Sequence, residues 1–169
     1  MRKVLFIFGQ LSDADVDWLA KHGRKERVAK GAALITEGVP VERLYIVLEG
    51  ELVVQQGKTK REIARLGVGE VAGEMSFVDA RPPSATVSAA GDAVVYAISR
   101  RVLAGALEQN PGFGLRFYKS VATFLSDRLR NATDASYDDE LDDSVLDNVD
   151  RAGARFNALA RQVQEARGS

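Results

Sequence analysis

The residues best suited to binding chemistry lie in one short stretch of the chain, 73–87, which reads GEMSFVDARPPSATV. A helix start presents unpaired backbone N–H groups and a partial positive charge, so it attracts phosphate. We expect Gly73 to let a ligand approach the backbone and Glu74 to accept hydrogen bonds from sugar hydroxyls. Hydroxyl or amide donors from the returning strand are expected from Ser84, Ala85 and Thr86. The stretch suits a phosphate-and-sugar ligand, although a Gly-Glu pair is common and also fits a simple turn.

A short helix is predicted near the N-terminus of the chain. Ser12 is a good N-cap, and Asp15 places a carboxylate three residues later, near the positive end of the helix. The helix should run to about His22 and stop at Gly23, because glycine favours helix ends.

A β-rich region is predicted between about residues 27 and 99. Short apolar runs such as LYIVLEGELVVQQG and AVVYAIS are separated there by glycines, and SATVSAAG alternates between apolar and polar residues. Regularly spaced short strands with turn signals favour a β-sandwich, roll or barrel. Two antiparallel layers are therefore expected.

Two helices are predicted after this region, the first over Arg100 to Gln109. Asn110 and Pro111 supply a cap and a proline at the first position of the second, which runs to about Arg130. Its apolar residues cover more than one narrow stripe, so it needs two partners. One is the β region; the other is a symmetry mate, giving a homodimer through Pro111–Arg130, or the C-terminal tail.

The last part of the chain, 131–169, is predicted to be an acidic linker followed by an amphipathic helix, with residues 1–130 forming the domain before it. Eight acidic residues and no basic one lie in 134–150. Apolar residues recur at spacings of three and four, namely Leu141, Val145, Val149, Ala152, Phe156, Leu159 and Val163. This helix either docks on its own domain or dimer, or the 134–169 tail binds a protein partner.

The order and spacing of these features resemble the cyclic-nucleotide-binding domain family, over about residues 11–130. LYIVLEG followed by GEMSFVDA and SATV carries the resemblance. It implies a jelly-roll-like β roll (a double-stranded β-helix) with an N-terminal helix and C-terminal helices. It also implies cAMP or cGMP as the ligand, with a helix closing over the base.

The resemblance assigns roles to particular residues of the stretch. It matches Gly73 to the cassette glycine, Glu74 to the ribose-binding glutamate, and 75–77, which includes Met75 and Ser76, to the cassette helix. Ser84 and Ala85 match the pair that lines the phosphate. Members that bind cyclic nucleotides usually carry arginine immediately before this pair, where the present chain has Pro83.

Proline has neither a charge nor an N–H group. A charge-assisted hydrogen bond to phosphate contributes roughly 1.5–3 kcal/mol, so its loss weakens binding about 10–100-fold. Arg81 is the nearby substitute, but Pro82 and Pro83 stiffen the backbone that would have to fold it back. Otherwise Arg81 is a solvated loop charge.

Several other classes of function are disfavoured by the composition. The chain has no cysteine and a single histidine, His22, so we expect no metal site and no histidine-based catalysis, including that of a cupin-type barrel. A net charge of −1 and an acidic stretch after the long helix argue against nucleic acid, and 39 residues are few for a DNA-binding domain. No apolar run reaches the ~20 residues that a membrane span needs. A cytoplasmic location is expected.

The favoured hypothesis is a non-enzymatic, stand-alone regulatory module, of the kind seen in bacteria, that binds cAMP and cGMP weakly or not at all and acts through protein contacts. The alternative is a functional cyclic-nucleotide sensor whose C-terminal helices move on binding.

Overall fold

Eight strands and four helices are bounded within the residues that the computed structural model describes. The structure describes residues 7–133 and 143–164, with side chains described for 7–130, 132–133 and 150–164. The strands are β1 Arg24–Val28, β2 Ala33–Ile35, β3 Arg43–Glu49, β4 Leu52–Gln56, β5 Arg61–Leu66, β6 Val71–Ala72, β7 Thr86–Ala89 and β8 Ala93–Ser99. The helices are α1 Asp13–His22, α2 Arg100–Gln109, α3 Pro111–Thr133 and α4 Asp143–Gln162, with a short 3-10 helix at Glu74–Phe77.

The strands form two four-stranded antiparallel sheets. One has the order β1-β8-β3-β6 and the other β2-β7-β4-β5. Chain neighbours β7 and β8 lie in different sheets, so the connections cross between the layers and wind the strands into a roll. The predicted two-layer antiparallel structure is confirmed.

Two apolar clusters hold these layers together. The cluster inside the roll contains Val28, Ile35, Tyr45, Val47, Leu52, Leu66, Ala72, Val87, Ala89, Ala93, Val95 and Ala97. The second cluster lies between the β1-β8-β3-β6 sheet and the helices, and its strand members include Leu44, Ile46, Leu48, Tyr96 and Ile98. Because side chains alternate along a strand, β3 and β8 contribute to both clusters.

The N-terminal helix begins and ends as predicted. Ser12 and Asp15 form a reciprocal capping box, in which the Ser12 N–H donates to Asp15 Oδ2 at 2.8 Å and the Asp15 N–H donates to Ser12 Oγ at 3.2 Å. The helix ends at His22, and the Gly23 N–H donates to the Leu19 carbonyl.

An ion pair joins α1 to α3. Arg116 donates from Nε to Asp15 Oδ2 at 2.6 Å and from Nη2 to Asp15 Oδ1 at 2.9 Å. The Asp15 side chain is 4% exposed. Burial alone would raise the pKa of Asp15, but the hydrogen bonds from Arg116 and Ser12 outweigh it and lower that pKa below its usual 3.8.

The C-terminal helix α4 packs against the N-terminal part of the same chain. Its buried residues Ala152, Phe156 and Leu159, together with Val163 just after its end, join the cluster that contains α1. Arg155 Nη1 donates to the Phe8 carbonyl at 2.8 Å, and Phe8 and Phe156 meet edge to face. Docking on its own chain was one of the two expected positions for this helix. The side chains of Leu141, Val145 and Val149 lie outside the described residues.

The second face of α3 is only partly covered. Phe113, Phe117, Val121 and Phe124 are buried, whereas Leu115 and Leu129 are 71% and 65% exposed. Asn110 caps this helix as predicted, because its Oδ1 accepts from the Phe113 N–H at 3.2 Å.

The ion pair makes a testable prediction about stability. Replacing Arg116 by Gln leaves the buried Asp15 carboxylate with its capping bonds alone, so we expect the free energy of unfolding to fall by about 1–3 kcal/mol at pH 7. Because the pKa of Asp15 is depressed in the folded state, the contribution is present above about pH 4 and disappears as the pH falls through the folded pKa. Urea unfolding at pH 7 and pH 3 measures both effects.

The matched control is Lys119→Gln, which removes an exposed cation from the same helix. The assignment would be contradicted by an equal loss of stability in the two variants. It would also be contradicted if the loss in Arg116→Gln were as large at pH 3 as at pH 7.

Candidate functional site

The site begins at Gly73, directly after β6. Its φ is +94°, in the left-handed region, and a Cβ placed there would lie 2.6 Å from the Arg43 carbonyl oxygen. Glycine is therefore required both by the backbone conformation and by the close approach of β3. The short helical turn expected after it is confirmed as the 3-10 helix Glu74–Phe77.

The turn is fixed by its own hydrogen bonds. Ser76 Oγ donates to the Gly73 carbonyl at 2.7 Å, and the Val78 N–H donates to the Met75 carbonyl at 3.0 Å. The Glu74 side chain belongs to a residue only 6% exposed, whereas Met75 is 53% exposed. A buried carboxylate is thus held at the start of the turn.

The returning segment leads from 82–85 into β7. Ser84 is exposed and Ala85 is half-buried. The Pro83 carbonyl accepts from the Gly38 N–H at 2.9 Å, and Thr86 Oγ1 accepts from the Glu37 N–H at 3.0 Å. The turn after β2 therefore holds this segment in place.

The alternating burial along β7 shows on which face of the strand Thr86 lies. Val87 and Ala89 are buried in the roll, and the intervening residues are less so. Thr86 consequently lies on the opposite face of β7 from Val87, while its hydroxyl oxygen faces the Glu37 N–H.

Arg81 is committed to a neighbour in the loop. Its Nε donates to Asp79 Oδ2 at 2.5 Å and its backbone N–H donates to Asp79 Oδ1 at 2.8 Å. Its side chain is 86% exposed. Hydrogen bonds from Arg81 lower the pKa of Asp79. The structure places Arg81 as a solvated loop charge, which was one of the two positions expected for it.

Arg100, the first residue of α2, contacts the 3-10 helix Glu74–Phe77, which we call the cassette turn. The sequence analysis missed this residue. Its Nε and Nη2 donate to the Ser76 carbonyl at 3.2 Å and 2.9 Å. Its guanidinium carbon lies 5.8 Å from the centroid of the Phe77 ring. Phe77 in turn meets Phe117 of α3 edge to face, at 5.2 Å between centroids. The end of the cassette turn is therefore bound to both α2 and α3.

No sequence signal identifies Arg100. It is one of two consecutive arginines, and its distance from Ser76 depends on the pairing of β8 with β3, which continues in the Arg100 N–H bond to the Glu42 carbonyl at 2.8 Å. Arg100 and Ser76 are 24 residues apart in the chain.

In the described residues, a glycine-led turn follows β6 of a β roll, and two helices follow the last strand of the roll. The model of the family described as cyclic nucleotide-binding domain matches residues 25–110, just over half of the chain. The chain belongs to the cyclic nucleotide-binding domain family, which confirms the resemblance seen in the sequence.

Individual relatives agree with this assignment. The chain is 32% identical over 117 residues to the Pycsar effector protein PaPycTIR of Pseudomonas aeruginosa, covering 69% of this chain and 36% of that protein. It is 28% identical over 129 residues to the cyclic AMP receptor protein of Thermus thermophilus, covering 75% and 58%. A crystal structure of a cyclic nucleotide-binding domain from Methylobacillus flagellatus KT superposes with a TM-score of 0.68 at 26% identity, covering 84% of this chain and 85% of that one.

The chain spans between a third and three fifths of the length of the curated relatives that it matches. Across the part of the chain that the structure describes, no three His, Cys, Asp or Glu residues gather as a metal site. Of the helices described, none is both long and apolar enough to cross a bilayer.

The Arg100 contact leads to a prediction about the dynamics of the cassette. Replacing Arg100 by Ala removes two charge-assisted hydrogen bonds from the Ser76 carbonyl, so we expect the backbone amides of 76–79 to exchange with solvent about tenfold faster. Hydrogen exchange followed by mass spectrometry measures this change. Arg101→Ala, which removes the adjacent exposed cation, should leave the exchange of these amides unchanged, and equal protection in the two variants would contradict the proposed restraint.

Proposed function

We propose that the chain is a non-enzymatic regulatory module whose cassette binds cAMP and cGMP weakly or not at all and which acts through protein–protein contacts. One observation carries the proposal: Pro83 stands immediately before the Ser84-Ala85 pair, and Arg81, the arginine two residues earlier, is bound to Asp79 at the surface.

The electrostatic argument concerns what a phosphate would meet in the cassette. The 3-10 turn and Ser84 offer neutral donors, and the buried carboxylate of Glu74 adds negative charge. Arg100 contacts the C-terminal part of the turn. Its Nε and Nη2 both donate to the Ser76 carbonyl there. A phosphate anion transferred from water into such surroundings loses hydration without gaining a guanidinium partner.

A second candidate, the functional cyclic-nucleotide sensor, is supported by a different observation. The cassette turn touches both helices that follow the roll, through Arg100 and through Phe77 against Phe117. A ligand that shifted this turn would bias the position of α3. The cyclic AMP receptor protein among the relatives favours cAMP as the ligand in that case.

Pro83→Arg tests the missing cation. The added guanidinium should strengthen the binding of cAMP or cGMP by at least about tenfold over the wild-type chain, since a charge-assisted hydrogen bond to phosphate is restored. Isothermal titration calorimetry at ligand concentrations up to the millimolar range compares the two proteins.

The matched control is Pro82→Arg, which adds the same charge one residue earlier and removes the other proline of the pair. Equal gains in the two variants would show that net charge alone is responsible. Micromolar binding of cAMP or cGMP by the wild-type chain would overturn the proposal and leave the sensor.

The protein contact that we propose first is a homodimer through α3. Leu115, Tyr118 and Leu129 are exposed, Ala122 is exposed between them, and Leu125 is half-buried. These five residues recur at alternating spacings of three and four, which is the apolar repeat of helices that pack side by side. The α3 helix of a second copy of the chain would bury this stripe, which is exposed to solvent in the monomer.

Charged substitutions on this stripe should separate the dimer. Leu115→Glu combined with Leu129→Glu places two carboxylates in the apolar seam, and we expect the mass from light scattering to fall from a dimer to a monomer. The control pair is Val39→Glu with Val68→Glu, since those residues are 52% and 40% exposed on the roll. A wild-type chain that is monomeric at high concentration, or a control pair that dissociates equally, would contradict the α3 interface.

A further inference from the structure

A cavity of about 410 Å³ lies where the C-terminal end of α1 meets the C-terminal end of α4, away from the cassette. Lys21, His22 and Arg24 line it from the α1–β1 connection, and Gln162 and Gln164 line it from the end of the α4 segment. Its volume falls within the range of small-molecule sites. The cavity is formed by two parts of the chain that meet only because α4 docks on the N-terminal helix.

The charged side chains that line this cavity are all of one sign. Among the described residues that line the cavity, none carries a carboxylate, and no ion pair between described residues involves Lys21 or Arg24. The two glutamine amides add neutral N–H donors that can bond an anion without a further charge. The lining therefore offers two cationic side chains and several donors to one small volume.

A purely structural role explains only part of this arrangement. Lys21 and His22 lie in the last turn of α1, where cations interact favourably with the helix dipole. Arg24 lies beyond the helix, at the start of β1, whereas Gln162 is the last residue of α4 and Gln164 follows it. Helix-end electrostatics gives no reason for these three residues to share the cavity.

The tail is anchored at the same place. The Gln164 carbonyl accepts from the Lys25 N–H at 2.9 Å, so the chain after α4 runs beside the first residues of β1. A ligand that bonded both Arg24 and the glutamine amides would connect the tail to the strand. Such a ligand would stabilise the docked position of α4, and the stabilisation would grow with the logarithm of ligand concentration above the dissociation constant.

We propose that this cavity binds a small polyanion bearing phosphate or carboxylate groups, with Lys21 and Arg24 as its cationic partners, and that binding fastens α4 to the N-terminal helix. The proposal does not depend on whether the cassette binds a cyclic nucleotide.

The chain contains its own reporter for this site. Trp18 is the single tryptophan, and its ring stacks on His22 with 4.0 Å between centroids and 12° between planes. His22 Nδ1 lies 2.8 Å from the Trp18 carbonyl. A polyanion beside His22 changes the electrostatic field at the indole, so the emission of Trp18 should respond to binding.

The test is a titration of the full chain with pyrophosphate, and separately with citrate, at low ionic strength and followed by Trp18 emission. Sodium chloride at matched ionic strength serves as the reference. We expect a saturable change with a dissociation constant of about 1 mM or tighter for at least one probe, which identifies phosphate or carboxylate as the preferred group. Lys21→Ala with Arg24→Ala should weaken this binding at least about tenfold.

Two further variants separate a built site from general charge. Lys30→Ala with Lys58→Ala removes the same net charge from exposed positions outside the cavity and should change the dissociation constant by less than about twofold. Gln162→Glu keeps the size of the side chain and adds a carboxylate, so it should weaken binding about tenfold.

The proposal is overturned if neither probe gives a saturable response, or if the Lys30 and Lys58 pair weakens binding as much as the Lys21 and Arg24 pair. Fastening of the tail would be supported if the bound probe slowed hydrogen exchange of the α4 amides more than that of the β3 and β8 amides, and if this effect were lost in the Lys21 and Arg24 variant. A probe that binds without this selective slowing would contradict it.

Discussion

Strands β3 and β8 place alternate side chains into two different apolar clusters, and the other parts of the molecule are built on this pair. Val47 and Val95 face the interior of the roll, whereas Ile46 and Tyr96 face the helices. A strand buried on both faces cannot slip by one residue without exchanging its two sets of side chains between clusters. The pair therefore fixes both the strand register of the roll and the surface on which the helices pack.

Tyr96 illustrates how closely the two layers are matched. Its hydroxyl donates to the Leu19 carbonyl at 2.8 Å, and burial raises the pKa of this phenol far above its usual value. A Cβ on Gly23 would overlap the Tyr96 ring at 2.2 Å. The glycine that ends α1 is needed at that point for its lack of a side chain, since its φ of −99° is open to other residues.

The same framework separates the shape of the cassette from its charge. The shape comes from the backbone, because Gly73 must pass against the Arg43 carbonyl and the turn is closed by Ser76. In the proposal above, the charge would come from an arginine immediately before Ser84, where this chain has Pro83. A substitution at that position leaves the turn intact, since the Pro83 carbonyl still accepts from the Gly38 N–H. Membership of the cyclic nucleotide-binding domain family therefore does not by itself establish affinity for a cyclic nucleotide.

Local signals were sufficient to predict much of the fold from the sequence. The capping box at Ser12, the Asn110 cap and the glycine-led turn at Gly73 each depend on residues within four positions of one another. The contacts that the sequence did not reveal join distant residues. Arg100 reaches Ser76 only through the pairing of β8 with β3, and Arg155 reaches Phe8 across 147 positions. Neither arginine differs in its local pattern from the solvated arginines nearby.

The two faces of helix α3 have different surroundings. One face contacts the N-terminal helix through Arg116 and the cassette turn through Phe117, so a single helix joins the two. The opposite face presents Leu115 and Leu129 to solvent. The same helix therefore contacts the cassette turn and the N-terminal helix and also carries the exposed stripe. Since α4 packs on α1, which the Asp15–Arg116 pair joins to α3, the position of the C-terminal helix is coupled to the same element.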